Sequence, residues 1–197
     1  MRWAYFLQGI LFIGIIIIAV YAMELKGTAN GTDIIDSKSG MTLSITSPDF
    51  ENNGRFPSKN TCDQPNGRAI SPPLVFSNVP KGAKSLALIM DDPDVPKALR
   101  SGVFDHWVLF NIDPSTTGIA EGGSAGTVGK NSAGQDAYAN PCPPTQYEPK
   151  EHRYTFTLYA LETILPLGEG STKQEVLKAM EGKVIQQAQL IGRYSRL

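Results

Sequence analysis

Short apolar runs separated by turn-forming residues constrain the fold of this chain more than any other feature. Each run is rich in β-branched and aromatic residues, and proline, glycine, asparagine or aspartate lies between one run and the next. No helical pattern of about 10 to 15 residues separates them, so the runs predict strands that pair antiparallel rather than βαβ units. We therefore expect an all-β-dominated domain built as an antiparallel β-sandwich. The runs are residues 41–47, 74–77, 85–90, 107–112 and 154–161.

One amphipathic helix is expected near the C-terminus. Thr172 and Glu175 have the spacing of a capping box, and Gly192 is suited to end a helix. Apolar residues between them recur about every three to four positions, which gives one apolar stripe. We expect this helix to cover one end of the sheets. The stripe consists of Val176, Leu177, Met180, Val184, Ile185, Ala188 and Ile191.

The N-terminus carries an apolar segment that is separate from the predicted domain. Residues 3–23 contain no charged side chain, and a helix of this length, at about 1.5 Å per residue, crosses a hydrocarbon core of about 30 Å. The segment over residues 1–23 is either a transmembrane anchor or a cleaved signal peptide, since Arg2 begins it and small residues lie near its end. Both alternatives export the rest of the chain. We expect an extracytoplasmic protein, periplasmic or secreted, which is membrane-anchored if the segment is retained.

Composition sets the class of the remaining chain. Small and polar residues over 24–40 predict a flexible tether, followed by one domain over residues 41–197. The chain has 18 Lys and Arg against 19 Asp and Glu and no dense basic cluster, so nucleic acid is not an expected partner. Cys62 and Cys142 are outside any Cys-x-x-Cys pair, so no structural zinc site is expected. In an exported domain they form either a disulfide or two buried free thiols.

Carboxylates and histidines lie at the ends of the predicted strands. Asp92 and Asp94 follow one apolar run, and His106 and His152, the only two histidines, precede two others. Asp92 and Asp94 are two positions apart, so on an extended segment both side chains point the same way. A carboxylate near a buried strand needs a hydrogen-bond donor, and an imidazole held by one ring nitrogen directs the other N–H outward. We therefore predict a small anion site; the alternative is that each histidine is only a satisfied residue at a strand end.

Six motifs in chain order resemble the phosphatidylethanolamine-binding protein family, also called the Raf kinase inhibitor protein family, in its bacterial and archaeal form. The resemblance covers about residues 41–197. One departure places Lys150 and Glu151 where the family often has a glycine before the second histidine, which puts a negative charge next to the predicted anion site. The motifs are ISPPL at 70–74, DPDVP at 92–96, HWVLFN at 106–111, GKNSAG at 129–134, PCPP at 141–144 and HRYTF at 152–156.

The resemblance implies a compact β-sandwich with a small pocket for phosphate-like anions and phospholipid head groups. It also implies which residues form that pocket, with two aromatic residues that line or support it. The implied pocket residues are Asp92, Asp94, His106, Pro143 and His152, and the aromatic residues are Trp107 and Tyr154.

The leading hypothesis is a non-catalytic binding protein, without cofactor or metal, that has a regulatory role. Its partner is a small anion or a phospholipid head group, to which the two imidazoles donate. Asp92 and Asp94 orient the imidazoles or accept from an ammonium group. Because an anion and a nearby carboxylate both favour imidazolium, binding is expected to strengthen as pH falls through about 6.5.

Two other functions remain open from the sequence. The protein is alternatively an inhibitor of a protease or kinase that acts through its surface, with that protein as its partner. As a second alternative it is a metal-dependent hydrolase, in which two histidines and two aspartates bind the metal. Neither an HExxH motif nor a nucleophile-elbow motif occurs in the chain.

Overall fold

The computed structural model describes residues 41–64 and 70–196. The predicted N-terminal helix over residues 1–23 and the tether over 24–40 lie outside this part of the chain. Within it, no helix is long and apolar enough to cross a membrane. The strands are β1 Ser44–Thr46, β2 Gly54–Arg55, β3 Leu74–Ser77, β4 Ser85–Asp92, β5 Phe104–Ile112, β6 Gly118–Ile119, β7 Thr127–Val128, β8 His152–Leu161 and β9 Val184–Tyr194; α1 is Lys173–Met180, and a 3₁₀ helix spans Ser58–Asn60.

The described strands form two sheets, so the strand-dominated fold predicted from the sequence is confirmed. The larger sheet has the order β2-β9-β8-β4-β5-β7 and the smaller one β1-β3-β6. Most neighbours pair antiparallel, but β2 runs parallel to β9, with Gly54 opposite Gly192. The larger sheet is therefore mixed, which corrects the expectation of a purely antiparallel sandwich.

Strand β4 lies in the middle of the larger sheet and is buried on both faces. Leu86, Leu88 and Met90 belong to the core that includes residues of the smaller sheet. Ala87 and Ile89 point the other way, into a second core beneath α1. Because successive side chains of a strand point to opposite faces, a strand covered on both sides reads as one continuous apolar run. This explains the unbroken apolar sequence of residues 86–90.

The predicted long C-terminal helix is wrong beyond Met180. Its start is confirmed, since Thr172 and Glu175 form both hydrogen bonds of the capping box. Residues 184–194 instead form β9, which pairs with β8 along its length. Alternate residues of β9 become buried towards its end, as in a strand with one covered face, while Val184 and Ile185, which supported the helical stripe, are exposed. Backbone pairing with β8 therefore determines the structure of this segment, and the helical spacing of its apolar residues does not.

One disulfide joins two distant segments of the domain. The sequence left open whether Cys62 and Cys142 are bridged or free, and in the structure they are bridged, with their Cα atoms 5.3 Å apart. The backbone N–H of Cys62 also donates to the carbonyl of Pro141 over 3.0 Å. The bridge therefore fixes the proline-rich segment over 141–144 against the segment that follows the 3₁₀ helix.

Gly192 is a packing position in β9 rather than the end of a helix. A Cβ atom at Gly192 would lie 2.2 Å from Cδ2 of Phe56 and 3.1 Å from Cε2 of Phe50. Both rings are buried in the main core. The missing side chain therefore makes room for two aromatic rings where β2 pairs with β9.

Substitution of Gly192 by alanine should destabilise the protein through this close contact. We expect Gly192→Ala to lower the free energy of unfolding by about 1–3 kcal/mol, the usual cost of overpacking a filled core. Urea unfolding followed by tryptophan fluorescence measures this. Gly168→Ala is the matched control, because an added Cβ there meets no atom within 4 Å. Equal stability of the two variants would contradict the assigned role of Gly192.

Candidate functional site

A cavity of about 390 Å³ opens where β4 ends and β5 and β8 begin. Because β4 pairs antiparallel with both neighbours, its last residue and their first residues meet at one edge of the sheet. The wall of the cavity has three parts. The strands contribute the polar residues Asp92, His106 and His152. The loop after β4 and the start of β5 contribute Val95, Leu99, Arg100 and Phe104, and the segment around Cys142 contributes Ala139, Asn140, Cys142, Pro143 and Pro144.

Four of the seven predicted pocket residues lie on the wall of this cavity. They are Asp92 from β4, His106 from β5, His152 from β8, and Pro143 from the proline-rich segment. The two imidazoles, which are distant in the chain, thus face a common space.

A β-bulge turns His106 towards the cavity. Met90 pairs with Trp107, but the next residue of β4, Asp91, pairs with Asp105, so His106 is an extra residue in β5. A bulge of this kind changes the direction of the side chain at the inserted residue. His106 lies on the same side as Phe104, with the two ring centroids 4.6 Å apart.

Asp92 holds His152 by one ring nitrogen. Nδ1 of His152 lies 2.6 Å from Oδ2 of Asp92, and both residues are buried, with 1% and 3% of their surface exposed. The other carboxylate oxygen of Asp92 accepts the backbone N–H of Asp94 over 2.8 Å. Both oxygens act as acceptors, so the hydrogen of the imidazole lies on Nδ1. Nε2 of His152 is buried and has no hydrogen-bond partner among the described residues.

His106 is anchored in the same way, by a backbone carbonyl. Its Nδ1 lies 2.7 Å from the carbonyl oxygen of Ala139, and the N–H of Ala139 donates to the carbonyl of His106. Since a carbonyl oxygen only accepts, Nδ1 carries the hydrogen. Desolvation by burial lowers the pKa of His106, against the opposite effects of Ala139, Asp92 and Asp105. The ring therefore favours its neutral form, with a lone pair on Nε2.

The sequence analysis expected each imidazole to direct an N–H outward, and the structure corrects this expectation. A carboxylate that accepts from one nitrogen of a neutral imidazole leaves a lone pair, not an N–H, on the other nitrogen. His106 and His152 both place their single neutral-state hydrogen on Nδ1. They donate through Nε2 only when the ring is protonated.

Asp94 does not line the cavity, unlike the sequence expectation. Its carboxylate accepts from the backbone N–H, Nε and Nη2 of Arg153, over 2.9, 2.8 and 2.7 Å. These contacts with Arg153 lower the pKa of Asp94. The two aspartates thus have different partners: Asp92 binds His152, and Asp94 binds the adjacent Arg153. Asp94 fixes the beginning of β8 and, through its own N–H, the carboxylate of Asp92.

This placement also separates the four residues considered as metal ligands. The hydrolase hypothesis required Asp92, Asp94, His106 and His152 around one ion, and Asp94 is turned away to Arg153. Over residues 41–64 and 70–196, no three His, Cys, Asp or Glu side chains come together as metal ligands would.

Trp107 and Tyr154 lie behind the cavity rather than on its wall. Trp107 packs edge-on against Tyr138 in the core, with ring centroids 5.6 Å apart. Tyr154 is wholly buried; its ring centroid is 5.2 Å from that of His106 and 6.4 Å from that of His152. Burial raises the pKa of Tyr154 far above its usual range. Its ring therefore supports both imidazoles from within the domain.

Sequence analysis missed the rim of the cavity. Leu99 is 53% exposed, and Arg100 lies over Phe104, with its guanidinium carbon 5.6 Å from the ring centroid. Nε of Arg100 donates to the carbonyl of Val103 over 3.1 Å. The loop from Asp92 to His106 contains two cations, and nothing in the sequence distinguishes Arg100, which lines the cavity, from Lys97, which does not. The rim offers a positive charge and apolar contacts to whatever enters.

An ion cluster on the opposite face of the sheet steadies the same edge. Asp91 and Asp105 are directly opposite each other on β4 and β5, and Nζ of Lys173 lies 2.8 and 2.9 Å from their carboxylates. Burial raises the pKa of Asp91, while Lys173 acts in the other direction. Each aspartate adjoins a residue of the cavity wall, Asp92 and His106. Lys173, the first residue of α1, thus joins the two strands from behind.

Known proteins match most of this chain in sequence. The family model described as phosphatidylethanolamine-binding protein matches residues 46–195. A UPF0098 protein of Methanothermobacter thermautotrophicus is 49% identical over 154 residues, which are 75% of this chain and 95% of that protein. A UPF0098 protein of Chlamydia pneumoniae is 44% identical over 156 residues, 78% of this chain and 99% of that protein.

Solved structures agree with these relatives. A homologue of phosphatidylethanolamine-binding protein from Chlamydia trachomatis superposes with a TM-score of 0.73 at 42% identity, over 79% of this chain and 99% of that one. Escherichia coli YbcL, described as a member of the mammalian family, has a TM-score of 0.69 at 25% identity, with the same coverage. The chain therefore belongs to the phosphatidylethanolamine-binding protein family, in its bacterial and archaeal form.

Proposed function

We propose that this protein is a non-catalytic binding protein whose cavity takes small phosphate-like anions, including phospholipid head groups, as part of a regulatory role. The observation that carries the proposal is that His152 lies on the cavity wall while its buried Nε2 has no hydrogen-bond partner among the described residues. A buried polar atom without a hydrogen bond costs about 1–3 kcal/mol. A ligand that supplies the missing hydrogen bond recovers this cost. Membership of the family supports a binding role.

The size and polarity of the cavity support a ligand with a polar end and a less polar substituent. Its volume of about 390 Å³ is at the lower end of the range of about 300–1,000 Å³ for small-molecule sites. The polar groups are at the strand edge, with Asp92, His106 and His152, whereas Leu99 and Phe104 form an apolar rim. A phosphate group bound at the edge would leave its substituent against this rim. Arg100 adds a positive charge near the entrance.

Removal of either imidazole should weaken binding. We expect His106→Ala and His152→Ala each to reduce the affinity for phosphoethanolamine at least about tenfold, because each removes a hydrogen-bonding group from a buried site. Isothermal titration calorimetry of the full-length chain measures this, with circular dichroism to confirm folding. Gln187→Ala, on the exposed face of β9, is the control. Unchanged affinity in both folded histidine variants would exclude the cavity as the binding site.

The rim should contribute through charge. We expect Arg100→Ala to weaken phosphoethanolamine binding by about two- to fivefold, the usual size of an exposed charge interaction, and the loss to shrink at high salt. Lys97→Ala is the matched control, because it removes the same charge from the same loop at a residue off the cavity wall. Equal losses for the two variants would mean that only the overall charge of the loop matters.

We also propose that the domain acts outside the cytoplasm, periplasmic or secreted, with the N-terminal segment as anchor or signal. The bridge between Cys62 and Cys142 supports this, because structural disulfides persist mainly in oxidising compartments. We expect the two thiols to resist alkylation in cell extracts until a reductant is added, and the protein to fractionate with membranes or secreted material. Reduced thiols in a cytosolic fraction would contradict the proposal.

A further inference from the structure

We propose that the cavity selects anions that bring their own hydrogen-bond donor, so that hydrogenphosphate binds and sulfate of the same shape and charge is rejected near neutral pH. This inference rests on the proposed function, since it concerns the ligand of the same cavity. The geometry behind it is the position of the ring hydrogens. Both imidazoles donate from Nδ1 to the protein, and both residues line the cavity.

The argument is strongest at His152. Oδ2 of Asp92 accepts from Nδ1 over 2.6 Å, and Oδ1 of Asp92 is already occupied by the N–H of Asp94. Rotation of the carboxylate would break both hydrogen bonds, and the imidazole ring is stacked against the ring of Tyr154. The tautomer with hydrogen on Nδ1 is therefore fixed by its surroundings. In this tautomer the lone pair is on Nε2, which is buried and has no hydrogen-bond partner among the described residues.

His106 repeats the arrangement with a different acceptor. The carbonyl of Ala139 accepts from Nδ1 over 2.7 Å, and the ring is held between Phe104 and Tyr154. Because burial lowers the pKa of His106, this ring remains neutral at pH values where an ordinary histidine begins to charge. A second lone pair therefore borders the same cavity.

A neutral imidazole nitrogen accepts a hydrogen bond but repels an oxygen that has no hydrogen. Hydrogenphosphate carries a hydroxyl that donates to such a nitrogen, while its remaining oxygens accept from other groups, including Arg100 at the rim. Sulfate near neutral pH has only acceptor oxygens. The two ions have the same tetrahedral shape and charge, so the donor hydrogen is the difference that these nitrogens detect. A head group with an ammonium can supply the donor from its nitrogen.

Acid should remove the discrimination. When an imidazole is protonated, Nε2 gains a hydrogen and donates to any anion, so sulfate affinity should rise as pH falls. His106 contributes at lower pH than an ordinary histidine, because burial lowers its pKa. The two rings have charged and titratable neighbours on every adjoining element. These neighbours are Asp92 on β4, Asp94 and Arg100 in the loop after it, Asp105 on β5, Arg153 and Tyr154 on β8, and Tyr194 on β9.

Calorimetric titration of the full-length chain with phosphate and with sulfate tests the proposal. The titrations are run in an amine buffer at constant chloride, about one pH unit above and about one unit below the usual histidine pKa of about 6.5. At the higher pH we expect sulfate to bind at least about tenfold more weakly than phosphate, because a lone pair on Nε2 is left facing an oxygen. At the lower pH the gap should shrink through a gain in sulfate affinity.

The His152→Gln variant provides an independent readout. A glutamine amide offers both a donor and an acceptor, so the phosphate-to-sulfate ratio at the higher pH should fall towards one even if overall affinity drops. Gln187→Ala should keep the ratio of the unaltered protein. Equal affinities of phosphate and sulfate at the higher pH in the unaltered chain would overturn the inference but leave anion binding intact. Failure of both ions to bind would overturn the proposed function as well.

A third probe identifies the source of the anion. Glycerophosphoethanolamine has a phosphodiester without a hydroxyl on phosphorus but carries an ammonium donor. Affinity comparable to that of phosphate, while sulfate stays weak, would support selection by a donor and indicate a lipid head group. Tight phosphate binding with weak binding of both other probes would support the same selection and indicate the free ion.

Discussion

The site depends on the antiparallel pairing of β4 with both of its neighbours. Leu88 lies opposite Leu109 of β5 and Leu158 of β8, so the end of one buried strand and the beginnings of two others coincide. Polar residues that terminate these strands must then share one small space, where each one relieves the cost of burying another. Asp92, His106 and His152 meet because of this register. A shift of one residue would turn their side chains to the opposite face.

The edge is built from two faces that depend on each other. Asp91 and Asp105 point towards α1, while the residues next to them, Asp92 and His106, point into the cavity. Two carboxylates opposite each other repel, and Lys173 offsets this repulsion on the far side of the sheet. The bulge that turns His106 to the cavity directly adjoins the pair of Asp91 and Asp105. The helix on one face therefore stabilises the backbone geometry that the site on the other face requires.

The sequence predicted the elements whose signal is local and missed those that need a partner. Every run of residues 74–77, 85–90, 107–112 and 154–161 became a strand, because each is apolar enough to be buried by itself. The segment over 184–194 was predicted as helix because its register with β8 is invisible in the chain, and β6 and β7, with two residues each, carry no pattern at all. At the site, the strand-end aspartate and histidines were predictable. The diversion of Asp94 to Arg153 depends on side-chain geometry that spacing does not contain.

Two kinds of scaffold share the work of recognition. The polar groups stand on strands, and their orientation is fixed in advance by Asp92, the carbonyl of Ala139 and the ring of Tyr154. Little conformational entropy is then lost at these groups when a ligand binds. The charged and apolar rim, with Leu99 and Arg100, belongs to a loop whose side chains are exposed. Loops tolerate sequence change better than paired strands do. The strand edge is therefore the preorganised part of the cavity, and the loop is the part that can change without disturbing it.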